Sequence, residues 1–167
     1  IESAIIYMAS GLYSKIEDLV EENFRSPMNM DIKSRYQTVE DYFHHLQLPH
    51  KLACTIDLAT GTGKSFVIYG IAQIMLGLGL VKKVLVLCPS LTIEEGLLEK
   101  FKALASDTAL LEAIPEKSKY KNPSIKTADV TIQEGDICVE NIHAVYDRTG
   151  SSIKDSFSGS GKATLVL

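Results

Sequence analysis

A run of small residues that ends in lysine and serine is the stretch of this sequence best suited to chemistry. Residues 60–65 read Thr-Gly-Thr-Gly-Lys-Ser, and an apolar stretch precedes them. Small residues let the backbone wrap a phosphate group and turn successive N–H groups towards it. Lys64 would then reach the β- and γ-phosphates, and the Ser65 hydroxyl would ligate Mg²⁺. The pattern predicts a nucleotide phosphate site made of Thr60, Gly61, Thr62, Gly63, Lys64 and Ser65.

A strand before this loop and a helix after it are the elements that must position it. We predict a buried strand over Leu52–Leu58, and a helix that ends near Gly77–Gly79 because apolar residues recur there at helical spacing. The strict phosphate-loop pattern asks for glycine at position 58, where this chain has Leu58. A glycine-threonine turn beside a surface lysine is the alternative interpretation.

Further apolar runs alternate with helical patterns along the rest of the chain. They predict strands at Lys82–Pro89, Ile125–Ile132, Asp136–Val145 and Thr164–Leu167. Helices are expected from Thr92, which would form a capping box with Glu95, and over Asp107–Ile114. Short runs with few polar interruptions are typical of strands covered on both faces. The predicted fold is an α/β three-layer domain with a mostly parallel sheet, preceded by N-terminal helices.

Composition limits the classes of protein to which the chain can belong. The net charge is -4 and the pI is near 5.6, which argues against an autonomous DNA-binding module. Three cysteines, an odd number, lie in apolar runs and are predicted to be buried free thiols, as suits a reducing cytosol: Cys54, Cys88 and Cys138. No apolar run of membrane-spanning length and no signal peptide is present, so we expect a cytoplasmic protein without a membrane partner.

Three other stretches carry reactive groups, and each has a plainer interpretation. The histidines at 44, 45 and 50 lack the i, i+4 spacing of helical metal ligands. Three lysines around a tyrosine in Pro115–Pro123 would suit a nucleic-acid contact, although a solvated loop is favoured. The glycine- and serine-rich stretch Arg148–Lys162 is predicted to be a loop, because Ala163 follows its lysine where a phosphate loop needs serine or threonine.

Residues 59–65, together with Val-Leu-Val-Leu-Cys-Pro-Ser at 84–90, resemble motifs I and Ia of superfamily-two DEAD/DEAH-box helicases. Residues 34–167 resemble the first RecA-like domain of these proteins, and the motor subunit of type III restriction enzymes is the nearest branch. The resemblance implies a P-loop NTPase fold with ATP and Mg²⁺ as cofactors. It also implies a partial RecA-like domain at 34–167. The resemblance says little about residues 1–33, which are predicted to be an N-terminal helical extension because apolar residues recur there at helix-like spacing.

The resemblance assigns roles to individual residues. Lys64 and Ser65 would be the catalytic pair, acting on the γ-phosphate and on Mg²⁺. Gln37, which follows a tyrosine, would lie near the adenine, where its amide both donates and accepts hydrogen bonds. Pro89 and Ser90 would touch the DNA backbone. Asn141-Ile-His-Ala at 141–144 resembles the strand-end motif that follows.

The resemblance implies the ATP-binding portion of an ATP-dependent DNA helicase or translocase, of a restriction or defence system. In that family the strand predicted at Thr164–Leu167 leads into an Asp-Glu box, which this sequence does not reach. We therefore expect these 167 residues to bind nucleotide but not to hydrolyse it appreciably. The expected partners are DNA, the remaining helicase domains, and a methyltransferase or nuclease. A stand-alone phosphate-loop kinase and a nucleotide-binding interaction module remain the alternatives.

Overall fold

The computed structural model describes residues 5, 16–46, 53–145, 153–159 and 163–167. Contacts divide the chain into a unit of Glu2–Asp57 and a larger unit of Leu58–Leu167, to which Ile1 is joined. The two units are described separately. The division expected after residue 33 concerned where the helicase resemblance starts, and it stays a prediction.

Short helices form the described part of the smaller unit. They are α1 (Ile16–Arg25), a 3-10 turn (Pro27–Asn29), α2 (Met30–Arg35) and α3 (Val39–His44). Helix α3 begins at Thr38, whose hydroxyl accepts a hydrogen bond from the Asp41 N–H at 3.0 Å. The Tyr42 ring packs against the rings of Phe24 and Tyr36, and its hydroxyl accepts from Asn23 Nδ2 at 2.8 Å. The connector predicted at 24–33 is therefore largely helical, since proline suits the first helical position.

A four-stranded parallel sheet forms the centre of the larger unit. Its strands are β1 (Lys83–Cys88), β2 (Ile125–Lys126), β3 (Ile137–Asn141) and β4 (Thr164–Val166), in the order β2-β3-β1-β4. Every described pairing is parallel, with Val86 opposite Val139 and Lys83 opposite Thr164. Most side chains of β1 and β3 are apolar, and every residue of β3 is buried. The predicted α/β fold with its parallel sheet is confirmed.

The helices of this unit are α4 (Lys64–Gly77), α5 (Leu91–Ala105), α6 (Thr108–Ala113) and α7 (Ile153–Phe157), with 3-10 turns at Glu116–Ser118 and Ile142–Val145. Helices α4 and α5 contact each other and β1, and the rings of Tyr69 and Phe101 meet edge to face at 5.3 Å. On β1 and β3, Leu85 and Cys138 join a core cluster with Ile153 of α7. Helices thus fix the position of the sheet edge at which β1 and β3 end.

The strand predicted before the phosphate loop is not formed. Residues 53–58 have no strand conformation and residues 53–57 are exposed, while Leu52 lies outside the described residues. An apolar run becomes a strand only where a neighbour supplies ladder hydrogen bonds. In the described sheet, β1 is paired on both sides with β3 and β4, and nothing pairs with this run.

The strand predicted at Ile125–Ile132 shrinks to the two residues of β2 because side chains capture its later N–H groups. The Ala128 N–H donates to the Glu140 carboxylate at 2.8 Å, and the Ile132 N–H donates to Ser156 Oγ at 3.0 Å. Neither group is left for a ladder. The strand expected at Asp136–Val145 likewise ends at Asn141, where a 3-10 turn begins.

Two predictions for helices and loops also change. Ser90, not Thr92, caps α5, because Ser90 is in extended conformation and its hydroxyl accepts from the Ile93 N–H at 3.4 Å. The loop predicted at 148–162 contains α7, while residues 148–152 and 160–162 lie outside the described residues. Asp107 caps α6, so the helix predicted there is confirmed.

The three thiols differ in exposure. Cys88 and Cys138 are buried, whereas Cys54 is exposed because the strand that would bury it is absent, so the prediction of a buried thiol is wrong there. Burial, with the carboxylates of Glu94 and Glu140, raises the pKa of Cys88, and it raises the pKa of Cys138 to about 12. Thiol reagents attack the thiolate.

We therefore expect Ellman's reagent to modify one thiol per folded chain at neutral pH, and all three after denaturation in guanidinium. A Cys54→Ser variant is expected to show no fast reaction at all. Fast modification of three thiols per chain in the folded wild type would contradict the burial of Cys88 and Cys138.

Candidate nucleotide-binding site

The loop at 59–63 adopts a backbone conformation that depends on its glycines. Gly61 and Gly63 have φ angles of +84° and +90°, in the left-handed region that side chains rarely enter. The Thr62 hydroxyl donates to the Ala59 carbonyl oxygen at 2.7 Å, and the Thr62 N–H approaches the same oxygen at 3.4 Å. The loop is thereby closed as a turn, with its exposed side open to a ligand.

Helix α4 begins directly after this turn, with Gly63 as its N-cap. The Gly63 carbonyl oxygen accepts from the N–H groups of Phe66 at 2.9 Å and Val67 at 3.2 Å. The first N–H groups of a helix have no partner inside it, which leaves those of Lys64 and Ser65 for a ligand. A helix N-terminus also carries partial positive charge, which favours an anion.

Side chains add further donors at the same place. Lys64 is exposed and forms no ion pair within the described part of the chain, and Ser65 is half-buried. Phe66 lies under the Lys100 ammonium, with Nζ 5.0 Å from the ring centroid, which ties α4 to α5. The start of α4 is therefore held in place by packing behind the turn.

This set of donors suits a nucleotide phosphate that carries Mg²⁺. Among the described residues there is no group of three or more histidine, cysteine or acidic side chains able to hold a metal. Mg²⁺ usually keeps several waters and binds phosphate oxygens with one or two protein ligands, so the Ser65 hydroxyl is an adequate protein contribution. The structure thus brings Thr60, Gly61, Thr62, Gly63, Lys64 and Ser65 together at one helix start.

Gln37, the residue expected beside adenine, belongs to the smaller unit. Its side chain is exposed, and its backbone N–H donates to Asp41 Oδ2 at 3.4 Å. The neighbouring Tyr36 ring packs between the rings of Tyr42 and His45, at 5.3 and 5.2 Å. The Gln37 amide is therefore exposed and available to a ligand, while the tyrosine before it is packed. The role of Gln37 in binding adenine stays a prediction.

Pro89 and Ser90 lie at the carboxyl end of β1, the edge at which parallel sheets bind ligands. Pro89 is exposed and Ser90 is half-buried. The Ser90 oxygen caps α5 by accepting from the Ile93 N–H, and its own O–H remains a donor. The geometry is compatible with a phosphate contact, which stays a prediction.

A buried polar cluster lies at this edge of the sheet and was not predicted from the sequence. Glu94 of α5 and Glu140 of β3 both accept hydrogen bonds from Asn141, the last residue of β3. Burial raises the pKa of Glu140, while the N–H groups of Ala128 and Asn141 oppose that shift and the Glu94 carboxyl group adds to it. A glutamate in the middle of the predicted strand Asp136–Val145 was the signal that could have revealed the cluster.

The lysine-rich loop is packed more closely than a solvated loop would be. The Tyr120 carbonyl oxygen accepts from Gln73 Nε2 at 2.6 Å, and Lys119 pairs with Glu116 at 2.8 Å. Its tyrosine ring also lies against Gly135, where it leaves no room for a Cβ. This loop thus supports the end of α4 and is a poor candidate for gripping nucleic acid.

Comparison with known proteins gives the family of this chain. A family model described as "Type III restriction enzyme, res subunit" matches residues 22–166, and so begins ahead of the residue 34 expected from the motifs. No curated protein and no solved structure matches the chain. No helix in the described ranges has the length and apolar character needed to span a membrane.

Proposed function

This chain belongs to the type III restriction enzyme res subunit family, a helicase-type domain with a RecA-like P-loop fold, and we propose that it is the ATP-binding portion of a DNA helicase or translocase. The motor would serve a restriction or defence system in the cytoplasm. DNA would be its track. The remaining helicase domains and a methyltransferase or nuclease would be its partners.

One observation carries this proposal: the turn at 59–63 leads directly into the N-terminus of a 14-residue helix whose first two residues are Lys64 and Ser65. The N–H groups of the helix start would hold the β-phosphate, and the Lys64 ammonium would neutralise charge on the γ-phosphate. A bound Mg²⁺ would supply positive charge that offsets the negative charge of the phosphates. Ser65 would supply its protein ligand.

Two other assignments belong to the proposal. Gln37 would recognise the adenine edge by donating and accepting at once. Pro89 and Ser90 would meet a backbone phosphate of the DNA strand. Because the sequence contains no Asp-Glu pair in that order, we assign nucleotide binding, and not hydrolysis, to these 167 residues. Hydrolysis would depend on an acidic pair elsewhere in the full-length motor.

Nucleotide binding tests the proposal most directly. Mg²⁺-ATP at about 100 times its dissociation constant is expected to raise the free energy of unfolding of the full-length protein by roughly 2.7 kcal/mol. DNA is expected to stimulate its ATP turnover. No stabilisation by ATP would favour an interaction module, whereas phosphate transfer to a small metabolite would favour a kinase.

Base recognition gives a second test of the site. We expect Gln37→Ala to weaken ATP binding about tenfold, because an amide that pairs with a base edge is lost, and to leave GTP binding unchanged. Isothermal titration with both nucleotides measures the two affinities. Gln133→Ala, which removes another exposed amide, is the matched control and should change neither affinity. An equal loss for ATP and GTP in Gln37→Ala would remove this residue from adenine recognition.

A further inference from the structure

Two buried carboxyl groups meet at the carboxyl edge of the sheet. Glu94 and Glu140 are each 8% exposed, and Asn141 between them is 9% exposed. Glu94 Oε2 accepts from the Asn141 N–H at 2.8 Å and from its Nδ2 at 2.9 Å. Glu140 Oε1 accepts from the same two nitrogens at 3.2 Å. One asparagine therefore holds both carboxyl groups.

No basic side chain among the described residues pairs with either carboxyl group. The two carboxyl groups lie close together, because both accept hydrogen bonds from the same two nitrogen atoms of Asn141. Two buried carboxylates this close do not both ionise readily, because their charges repel in a medium of low dielectric constant. Holding one proton relieves this repulsion, and four N–H···O bonds from a single asparagine keep the pair in place.

This cluster joins two chain segments that reach beyond the sheet edge. Glu94 lies in the first turn of α5, and its N–H donates to the Ser90 carbonyl oxygen at 3.0 Å. On the other side, the Asn141 Oδ1 accepts from the His143 N–H at 3.0 Å and so starts the 3-10 turn at Ile142–Val145. The Glu94 side chain is therefore a direct link between the start of α5 and the turn after β3.

From this geometry we propose that Glu94 is a positioning residue for nucleic acid: by holding Asn141, it fixes the Ser90 end of α5 against the turn at 142–145. This inference rests on the proposed function, which places a nucleic-acid phosphate at Ser90. A phosphate contact depends on where its donors stand, and small displacements weaken it. Glu94 makes no contact with the strand in this role and acts through the backbone at both segments.

Three substitutions in the full-length protein separate this role from a merely structural one. Glu94→Ala removes the acceptor for Asn141. Glu94→Gln keeps an acceptor oxygen and adds an N–H₂ that donates to Glu140 in place of the proton of the pair. Glu94→Asp keeps a carboxyl group on a side chain that is one methylene shorter. This variant replaces Glu94→Ala in the test if the alanine variant does not fold. Glu95→Ala, at an exposed neighbour on the same helix, is the matched control.

The readouts are the affinity for a single-stranded DNA oligonucleotide by fluorescence anisotropy, and the affinity for Mg²⁺-ATP. We expect Glu94→Ala and Glu94→Asp to weaken DNA binding about tenfold. A displaced Ser90 would lose its hydrogen bond to a charged phosphate group, and such a loss has about this effect. ATP affinity is expected to stay unchanged. Glu94→Gln is expected to restore DNA binding to within about twofold of the wild type, because its amide replaces the proton of the pair.

A pH series supplies a readout that packing alone would not move. Burial raises the pKa of Glu140, so the pair keeps its proton at low pH and loses it as pH rises through that raised pKa. The titratable groups that face the pair are Cys88 of β1 and Cys138 of β3, and both stay protonated in this range because burial raises each thiol's pKa. DNA affinity of the wild type should fall over this interval, and Glu94→Gln should flatten the profile.

The outcomes separate the two proposals. Wild-type DNA binding together with unchanged binding by Glu94→Ala and Glu94→Asp would overturn the inference and leave the proposed function standing. Parallel losses of DNA and ATP affinity would also overturn it, since they would indicate general damage to the fold. A wild-type protein that binds neither ATP nor DNA would overturn the proposed function and the inference together.

Discussion

Full-length protein that carries Lys64→Ala is expected to turn over ATP about 10³-fold more slowly than the wild type, as enzymes do when a group that stabilises transition-state charge is removed. The Lys64 ammonium is exposed at the start of α4 and has no described ion-pair partner, so its charge is available to phosphate. Alanine is a good helix former, so the helix start and the fold should survive. Steady-state ATPase assays with DNA measure the effect.

Lys102→Ala is the control for this prediction. Lys102 is an exposed lysine on α5, so its loss changes the net charge by the same amount without touching the loop at 59–63. Circular dichroism of both variants should match the wild type. ATP turnover retained within about twofold in Lys64→Ala would show that the helix start does not act on the γ-phosphate.

The largest effect on stability is expected from Gly77→Ala, at the last residue of α4. A Cβ at this position would collide with the Ser118 carbonyl oxygen, and the Lys119 carbonyl carbon would lie 2.8 Å from it. The colliding atoms are backbone, and Gln73 holds that segment through the Tyr120 carbonyl oxygen, so a side-chain rotation cannot relieve the clash. We expect the free energy of unfolding to fall by about 3 kcal/mol, as in strong overpacking.

Gly96→Ala is the matched control, since this glycine lies within α5 and a Cβ there meets nothing within 4 Å. It should raise the free energy of unfolding by up to about 1 kcal/mol, because alanine is a better helix former than glycine. Urea denaturation of both variants gives the comparison. Equal stability of Gly77→Ala and Gly96→Ala would show that the turn at 116–118 does not lie against α4.

The sequence allowed the class of fold to be predicted because it depends on local features. The phosphate loop was predicted from local features too, and its role in binding phosphate stays a prediction. Gly61 and Gly63 can adopt positive φ angles, and Lys64 carries a positive charge, whatever the rest of the chain does. Apolar runs mark β1 and α5, and Ser90 caps α5 directly before its first residue. Chemistry that depends on residue type and short spacing can be predicted from the sequence.

Features that depend on distant partners could not be predicted in this way. The apolar run at 52–58 looks like a strand, yet it lacks a neighbour in the described sheet. In the run at 125–132, two backbone N–H groups donate to the side chains of Glu140 and Ser156 and so cannot form strand hydrogen bonds. Both side chains come later in the sequence. Glu94 and Glu140 are separated in the sequence by most of two helices and two strands, so no local pattern shows that both bind Asn141.

The order of strands in the sheet has a consequence for folding of the larger unit. Val84 of β1 pairs with Ile137 of β3, which follows it by 53 positions, and Lys83 pairs with Thr164 of β4, which follows by 81. Such pairings must close long loops before they gain any hydrogen bond, and this slows folding. Helix α4 needs only local contacts to start. On a ribosome, therefore, the phosphate-loop helix can form early, whereas β1 can pair only after β3 and β4, the last two of the four described strands, have been synthesised.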